Sequence, residues 1–353
     1  MNIRSIHGTG PHGLPARPAA APEVGLPADR VELGGRPAAP VASAPAREPS
    51  VAWGRKGHEV VAAEAARALP DTMPSLLKDN AERLAVLGPH ADRWRFPDLR
   101  HLRDSDVPDH YMNLEALQGR ELPEDRYAYV RLLEEGGVTR EGQGAWFNGM
   151  LPYRMAEVFE TLTAEFALYR LESERVPPGS HGTPLLRQLE ENLLYTAGML
   201  SHYVADAVQP LHTTVHHDGW NEKAEPNPGG FRTRPGLHEE FEVYLVNQAV
   251  DPAEVRKRLP APQLVTGDPL QHAAALLRES NALVKRLYSL EAQGRLNPWK
   301  PHPDGVELAT ERVARGAGVL RDLYHSAWVR SEAVANSRRD PKPVAPEGYL
   351  LRP

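Results

Sequence analysis

Residues 185–212 read LLRQLEENLLYTAGMLSHYVADAVQPLH, and this stretch decides the fold class. Its apolar residues recur every three or four positions, which predicts a long amphipathic helix. Pro210 is expected to end that helix, because its ring clashes with the preceding turn and it has no N–H to donate. His202 and Asp206 are four residues apart and share one helix face, while His212 emerges just past the helix end.

The same periodicity occurs elsewhere in the chain, and strands with hairpin turns are not indicated. It recurs at 60–69, 127–135, 155–172, 272–290 and 308–333. We therefore predict an all-α fold with a single multi-helix domain over 53–335. Residues 1–52 are a Pro-, Ala- and Gly-rich leader or pro-segment that is expected to be disordered, and 336–353 form a Pro-rich tail.

The amino-acid composition excludes several kinds of site and segment. The 353 residues include no cysteine, which excludes disulfides and thiolate metal sites. No run of eighteen apolar residues occurs, so no transmembrane segment is predicted. The formal net charge of −6 gives no general attraction to polyanions, and no local basic patch stands out in the sequence.

Histidines and carboxylates recur at a helical spacing. His238 and Glu242 repeat the four-residue spacing of His202 and Asp206, and Gly236 is a plausible helix start before them. A single pair of this kind is more often a surface salt bridge or a core histidine. Two pairs beside a Pro-Leu-His helix exit favour a divalent metal, with zinc as the leading candidate.

Further candidate ligands lie upstream. His58 falls in the first turn of an amphipathic helix, and His110 lies in a short polar segment that follows Asp92 and Asp98. Together these residues resemble the superfamily of zinc-dependent phospholipase C and the single-strand-specific zinc nucleases of the S-one/P-one type. The stretches WGRKGH and SHYVADAVQPLH carry the likeness most strongly. The family's ligand order is filled here by Trp53, His58, Asp92, His110, His202, Asp206, His212, His238 and Glu242.

The resemblance implies three zinc ions at the base of a cleft, and a zinc-bound hydroxide that attacks a phosphodiester. One site would use Asp92, His110, His202 and a bridging Asp206, with Asp206 and Asp92 as the catalytic carboxylates. A second would use Asp206, His58 and the amino and carbonyl groups of Trp53. The third would use His212, His238 and Glu242.

Two of these assignments leave alternatives open. The family's spacing falls between Asp92 and Asp98; Asp92 is preferred because ADRWR resembles the family's Asp-x-x-Arg wording, and Asp98 is the fallback. The ligand role of Trp53 requires a free amino terminus, and Ser50 and Ala52 suit a signal peptidase although no hydrophobic region precedes them. With Trp53 internal, two zinc ions are expected. The family and this cleavage site imply a secreted or periplasmic monomer.

The sequence features divide between two branches of the family that act on different substrates. The five-residue spacing from Trp53 to His58 resembles the nuclease branch, whereas Glu242 resembles phospholipase C. Trp220 and Asn221 are candidate substrate-binding residues, since Trp220 could stack on a nucleobase or simply pack its own loop. We expect a single-strand nuclease or 3′-nucleotidase, with a phospholipase C that binds a lipid headgroup as the alternative. A non-catalytic zinc-binding module, with His216 and His217 as spare ligands, is the alternative of another class.

Overall fold

Helices make up most of the residues that can be described, with no β-strand among them, which confirms the predicted all-α class. The computed structural model describes residues 54–96, 98–138, 144–177 and 182–339, which belong to one compact unit. Its α-helices are α1 (Gly54–Arg67), α2 (Leu76–Asp79), α3 (Ala81–Leu87), α4 (Arg100–Asp106), α5 (Arg126–Glu135), α6 (Leu151–Ser173), α7 (Pro184–Val208), α8 (Leu237–Glu239), α9 (Val246–Ala249), α10 (Pro252–Lys257), α11 (Pro269–Asn281), α12 (Val284–Ala292) and α13 (Pro303–Arg339).

Helix α7 is the central element and ends where Pro210 predicts. Thr183 caps its first turn, because its hydroxyl oxygen accepts a hydrogen bond from the backbone N–H of Leu186 at 3.0 Å. The helix ends at Val208, just before Pro210 begins a short 3₁₀ turn. Helices α6 and α13 pack along α7, and α1 packs against α3, α7 and α13. The buried aromatic side chains of this core include Tyr203 and Tyr324.

Downstream helices hold the end of α7. The last carbonyls of a helix have no partner within it, so other groups must satisfy them where the helix end is buried. Ser280 Oγ, on α11, donates to the carbonyl of Ala207 at 2.7 Å. Arg312 Nε, on α13, donates to the carbonyl of Val208 at 3.0 Å. The position at which the chain leaves α7 is therefore fixed by residues from the last third of the sequence.

Two glycines allow the end of α3 to approach the centre of the fold. A Cβ on Gly198 would lie 2.4 Å from the Cβ of Leu87, so a larger residue would push α3 away from α7. A Cβ on Gly88 would lie 2.9 Å from the carbonyl oxygen of His58. These close approaches bring the loop after α3 next to α1 and α7.

The segment after the 226–236 loop is a helix with an unusual middle. Gly236 precedes α8 with a φ of 106°, a conformation that favours glycine, and this confirms the predicted helix start. A π-helical segment, Glu240–Leu245, separates α8 from α9. Such wide turns are rare and occur frequently at functional sites.

The C-terminal helix is longer than predicted. Helix α13 continues to Arg339, so the prediction that a tail begins at 336 is wrong for residues 336–339. Arg339 Nε donates to Glu174 Oε2 at 3.3 Å, which ties this end of α13 to the end of α6. Residues 1–53, including the predicted leader, and residues 340–353 lie outside the described part of the chain. None of the described helices has both the length and the apolar composition that crossing a bilayer requires.

Candidate metal centre

The fold brings eight of the predicted metal ligands together, from six separate segments. Helix α1 supplies His58, a 3₁₀ turn after α3 supplies Asp92, and another 3₁₀ turn after α4 supplies His110. The remaining ligands come from α7, from the turn after it, and from α8 with its π segment. They are His202, Asp206, His212, His238 and Glu242. Trp53 lies outside the described residues, so its ligand role stays a prediction.

We call His58, Asp92, His110, His202 and Asp206 the rear group. All five side chains are at least 95% buried. His202 Nε2 lies 2.8 Å from His110 Nδ1, and Asp206 Oδ2 lies 3.2 and 3.0 Å from these two nitrogens. Tetrahedral ligand atoms at about 2.0–2.1 Å from zinc are about 3.3 Å apart. The spacing of these three atoms is therefore close to that of ligands around one ion.

The two aspartates of the rear group each face more than one histidine. Asp206 Oδ2 faces His110 and His202, whereas its Oδ1 lies 3.6 Å from His58 Nε2. Asp92 Oδ1 lies 3.9 Å from His110 Nδ1, and its Oδ2 lies 3.7 Å from His58 Nε2. Asp206 Oδ1 and Asp92 Oδ2 are buried and accept no hydrogen bond from the described residues. Either carboxylate could bridge two ions.

Hydrogen bonds on the outer side of each ring fix the histidine tautomers. His202 Nδ1 donates to the carbonyl of Gly88 at 2.9 Å, and His110 Nε2 donates to Asp106 Oδ2 at 3.1 Å. The inward nitrogens, His202 Nε2 and His110 Nδ1, lie 2.8 Å apart, so either a proton or a metal ion must lie between them. An outer acceptor of this kind is typical of metal-ligating histidines.

The charges in the rear group also favour a cation. Burial and Arg95 lower the pKa of His110, but hydrogen bonds to Asp106 and Asp206 outweigh them and raise it to about 9. Burial raises the pKa of Asp206, yet His202 and His212 hold it well below its ordinary value. The space between these side chains therefore attracts positive charge. A proton supplies part of that charge, and a divalent metal would supply all of it.

We call His212, His238 and Glu242 the front group. His238 Nε2 lies 3.1 Å from His212 Nε2 and 2.8 Å from Glu242 Oε2. The outer nitrogens are again occupied: His212 Nδ1 donates to the carbonyl of His110 at 2.7 Å, and His238 Nδ1 donates to the carbonyl of His217 at 3.1 Å. The front group therefore also presents two inward nitrogens and a carboxylate to one point, which fits a metal ion.

An open cleft of about 410 Å³ lies over the front group. His110, His212, His238 and Glu242 line it, whereas the other rear-group side chains lie behind them. The His238 side chain is 22% exposed, compared with none for His202. Solvent and a ligand can therefore reach the front group from the cleft.

No protein-family model matches the chain, and no curated protein matches its sequence. The candidate metal centre therefore depends on the residues and distances above. Asp98, the fallback for Asp92, is exposed and belongs to none of the ligand groups among the described residues. The geometry favours Asp92.

The predicted stacking surface at Trp220 does not fit the structure. Trp220 is 2% exposed, and its ring stacks on His216 at a centroid distance of 3.8 Å. Asn221 closes a local turn, because its side-chain oxygen accepts the N–H of Lys223 at 3.1 Å. The other alternative for Trp220, that it packs against its own loop, is confirmed. His216 is also tied to this loop, since its Nδ1 accepts the N–H of Asn221 at 3.0 Å.

Several residues that position the ligands were not predicted. Asp106 orients His110, and its position four residues before His110 is a signal that the sequence already contains. Gln209 Nε2 donates to Glu242 Oε2 at 3.0 Å and links the end of α7 to the front group. Asp218 Oδ1 accepts the N–H groups of Gly236 and His238, at 2.7 and 3.1 Å, and so caps the helix that carries the front group.

Proposed function

We propose that the protein is a zinc-dependent phosphoester hydrolase that cleaves single-stranded nucleic acid and 3′-nucleotides. The observation that carries the proposal is the pair of ligand groups stacked beneath one open cleft, with the front group reachable from solvent. Zinc suits the donor set, because imidazole and carboxylate ligands without thiolates match its preferences. The ligand groups suggest up to three ions: two in the rear group, one of them dependent on Trp53, and one in the front group.

Zinc bound to these residues would supply Lewis acidity for a phosphate ester and a water of lowered pKa. The protein itself would contribute the negative charge that balances the ions and the orientation of the imidazole ligands. Asp206 and Asp92 carry the negative charge that balances the cations, and the outer hydrogen bonds keep the imidazole lone pairs turned inward. These groups are buried before any substrate arrives, so they need no rearrangement on binding.

Arg95 supports an anionic substrate. It lines the cleft, and its Nη2 lies 2.8 Å from Asp92 Oδ1. Its side chain is 26% exposed, so part of the guanidinium group can be reached from the cleft. A partly exposed guanidinium beside a metal centre is suited to bind a phosphate oxygen. Arg95 would therefore orient the phosphoester and share its negative charge.

The cleft argues against a storage or sensing module. Such a module would need every ligand position closed, with His216 or His217 completing the front group. His216 instead bonds the N–H of Asn221, and neither residue belongs to a ligand group among the described residues. The front group therefore keeps an open side toward the cleft, as catalytic zinc sites do.

The test compares four substrates with one zinc-loaded preparation of the full chain. We expect two to three zinc ions per chain by elemental analysis, release of acid-soluble nucleotides from single-stranded DNA, and phosphate release from 3′-nucleotides. A chelator should abolish both activities, and duplex DNA should be cleaved far more slowly, because a stacked base cannot enter a side pocket. Phosphocholine release from dispersed phosphatidylcholine without nucleotide release would overturn the nuclease assignment. Less than one bound zinc would overturn the metal centre itself.

A further inference from the structure

A group of exposed basic and apolar side chains lies beside the cleft. We call Arg93, Phe96, Leu99, Arg100 and Arg103 the basic rim. All five are exposed, with Phe96 at 59% and Leu99 at 50%. Large apolar residues that are exposed next to arginines mark a contact surface more often than isolated exposed residues do.

Helix α4 carries part of the rim and is not held by a buried apolar face. Asp106 is its one buried residue, and that carboxylate is turned toward His110. A surface helix of a globular protein usually buries an apolar stripe. Helix α4 instead leaves its outer face to solvent, which is consistent with a role in binding.

The rim lies at the edge of the cleft. Phe96, Leu99, Arg100 and Arg103 belong to the segment between Arg95 and Val107, which both line the cleft, and Arg93 lies two residues before Arg95. Arg95 also contacts Asp92 of the rear group. Arg95 therefore connects the metal centre to a chain segment whose other arginines are exposed.

The rim is basic in a protein that is acidic overall. The net charge of the chain is −6, but residues 93–104 contain four arginines and two aspartates. Asp104 pairs with both Arg100 and Arg103, at 3.3 and 3.0 Å. One carboxylate shared by two guanidinium groups leaves donors and positive charge on both. Because two aspartates lie between the arginines, the net charge of this stretch of sequence is smaller than the number of arginines suggests.

We propose that the basic rim binds the strand of a single-stranded nucleic acid beyond the phosphodiester that occupies the cleft; this inference rests on the proposed function. Arg93, Arg100 and Arg103 pair with successive phosphates, and Phe96 stacks against an unpaired base. Arginines along a groove together with an exposed aromatic ring are the usual elements of single-strand binding. A strand fits better than a lipid surface, because the positive charge continues into the cleft through Arg95, where only a chain of phosphates can follow it.

The experiment replaces Arg93, Arg100 and Arg103 together by glutamine in the full, zinc-loaded chain. The control replaces Arg175, Arg187 and Arg338, which removes the same charge from the far end of the helices. Arg187 precedes His202 by 15 residues on α7, about 22 Å along the helix. Arg175 follows the end of α6, and Arg338 lies near the end of α13 that pairs with Glu174.

The readout is the affinity for a 20-nucleotide phosphorothioate thymidine strand, measured by fluorescence anisotropy at several salt concentrations. The rim variant should bind at least ten-fold more weakly, and the slope of log K against log salt should fall by about 2, since each single-strand phosphate contact contributes about 0.7. Phe96→Ala should weaken binding about five-fold while leaving the slope unchanged, because stacking carries no charge. Equal losses in the rim and control variants would overturn the proposal.

A second readout separates this inference from the proposed function. In the rim variant, kcat/KM for single-stranded DNA should fall at least ten-fold more than kcat/KM for a 3′-mononucleotide, which is too short to reach the rim. If the unaltered protein cleaves neither substrate, the proposed function fails. The anisotropy result then still shows whether the basic rim binds the strand. Rim-dependent binding to phosphatidylglycerol vesicles, with no rim-dependent binding of the strand, would overturn the inference in favour of a membrane surface.

Discussion

The rear and front groups use the same kinds of side chain in different settings. The rear group gathers ligands from four segments that span residues 58–206, and its side chains are buried. The front group takes two of its three ligands from one short helix, and it lines the cleft. A site assembled from distant buried segments must be complete for the core to close around it. A site assembled from one helix at the surface can lose its ion with less disturbance.

This difference suggests a division of labour. The rear group holds charge rigidly, because histidines and aspartates fix one another and are fixed in turn by Gly88 and Asp106. The front group depends on a loop and a capped helix start, with Asp218 as the link between them. We expect tight binding at the rear, and weaker, exchangeable binding at the front.

The largest effect should follow from Asp206→Asn. The side chain keeps its shape but loses the charge that faces His58, His110 and His202, so the rear group should lose zinc and phosphodiesterase activity should fall to background. Leaving buried partners uncompensated costs about 3 kcal/mol or more, and the free energy of unfolding should fall accordingly. Zinc content and chemical denaturation measure both effects. Asp98→Asn is the control, and equal effects in the two variants would contradict the assignment of the rear group.

His238→Ala should remove only the front ion. We expect zinc content to fall by one ion per chain and activity to be lost, while the melting temperature in excess zinc changes little, because His238 is partly exposed. His217→Ala is the matched control: the substitution keeps the backbone carbonyl that His238 contacts, and His217 belongs to none of the ligand groups among the described residues. Loss of all zinc from His238→Ala would show that the two groups are not independent.

Asp106→Asn should weaken the rear group without removing it. Asp106 accepts the outer N–H of His110, and loss of such a partner typically lowers metal affinity about 10- to 100-fold. Competition with a chromogenic zinc chelator measures the affinity, and the more exposed Asp104→Asn provides the control. If the affinity stays within two-fold of the parent, the orienting role of Asp106 is excluded.

The smallest effect should follow from Asp218→Ala, and it should be confined to the front group. Losing a helix cap costs about 1 kcal/mol, which corresponds to roughly a five-fold weaker front zinc if the helix start must be ordered to bind it. The same chelator titration, performed on the more weakly held ion, measures this loss of zinc affinity at the front group. A change in the tightly held fraction would show instead that Asp218 acts on the whole domain.

The fold class could be predicted because it depends on local patterns, and the ligand set because the residues resemble the ligand order of a known zinc family. Periodic leucines and alanines indicate the helices, Pro210 marks the end of α7, and two pairs at four-residue spacing point to a metal. Trp220 could not be placed, because its burial depends on a loop that folds back over His216. The sequence preferred Asp92 over Asp98 from the ADRWR wording alone, and the three-dimensional path between α3 and α4 supports that preference.

Other features were present in the sequence but were not recognised. Asp106 precedes His110 by the same four-residue spacing that identified the other pairs, with the acid first. The basic rim was missed because Arg93 lies in a 3₁₀ turn and Arg100 and Arg103 lie on α4, so the arginines do not form one continuous run of like charge. Arg312 shows no local signal at all, because its partner is a backbone carbonyl about a hundred residues earlier.

The contact between Arg312 and Val208 has a consequence for the synthesis of the protein. All eight described ligands have been synthesised once Glu242 is made, yet the end of α7 lacks two of its hydrogen-bond partners until Ser280 and Arg312 follow. Until then the turn that carries His212 is held less firmly against the end of α7. A nascent chain can therefore display its histidines before it can hold an ion firmly, and metal uptake should follow the completion of translation.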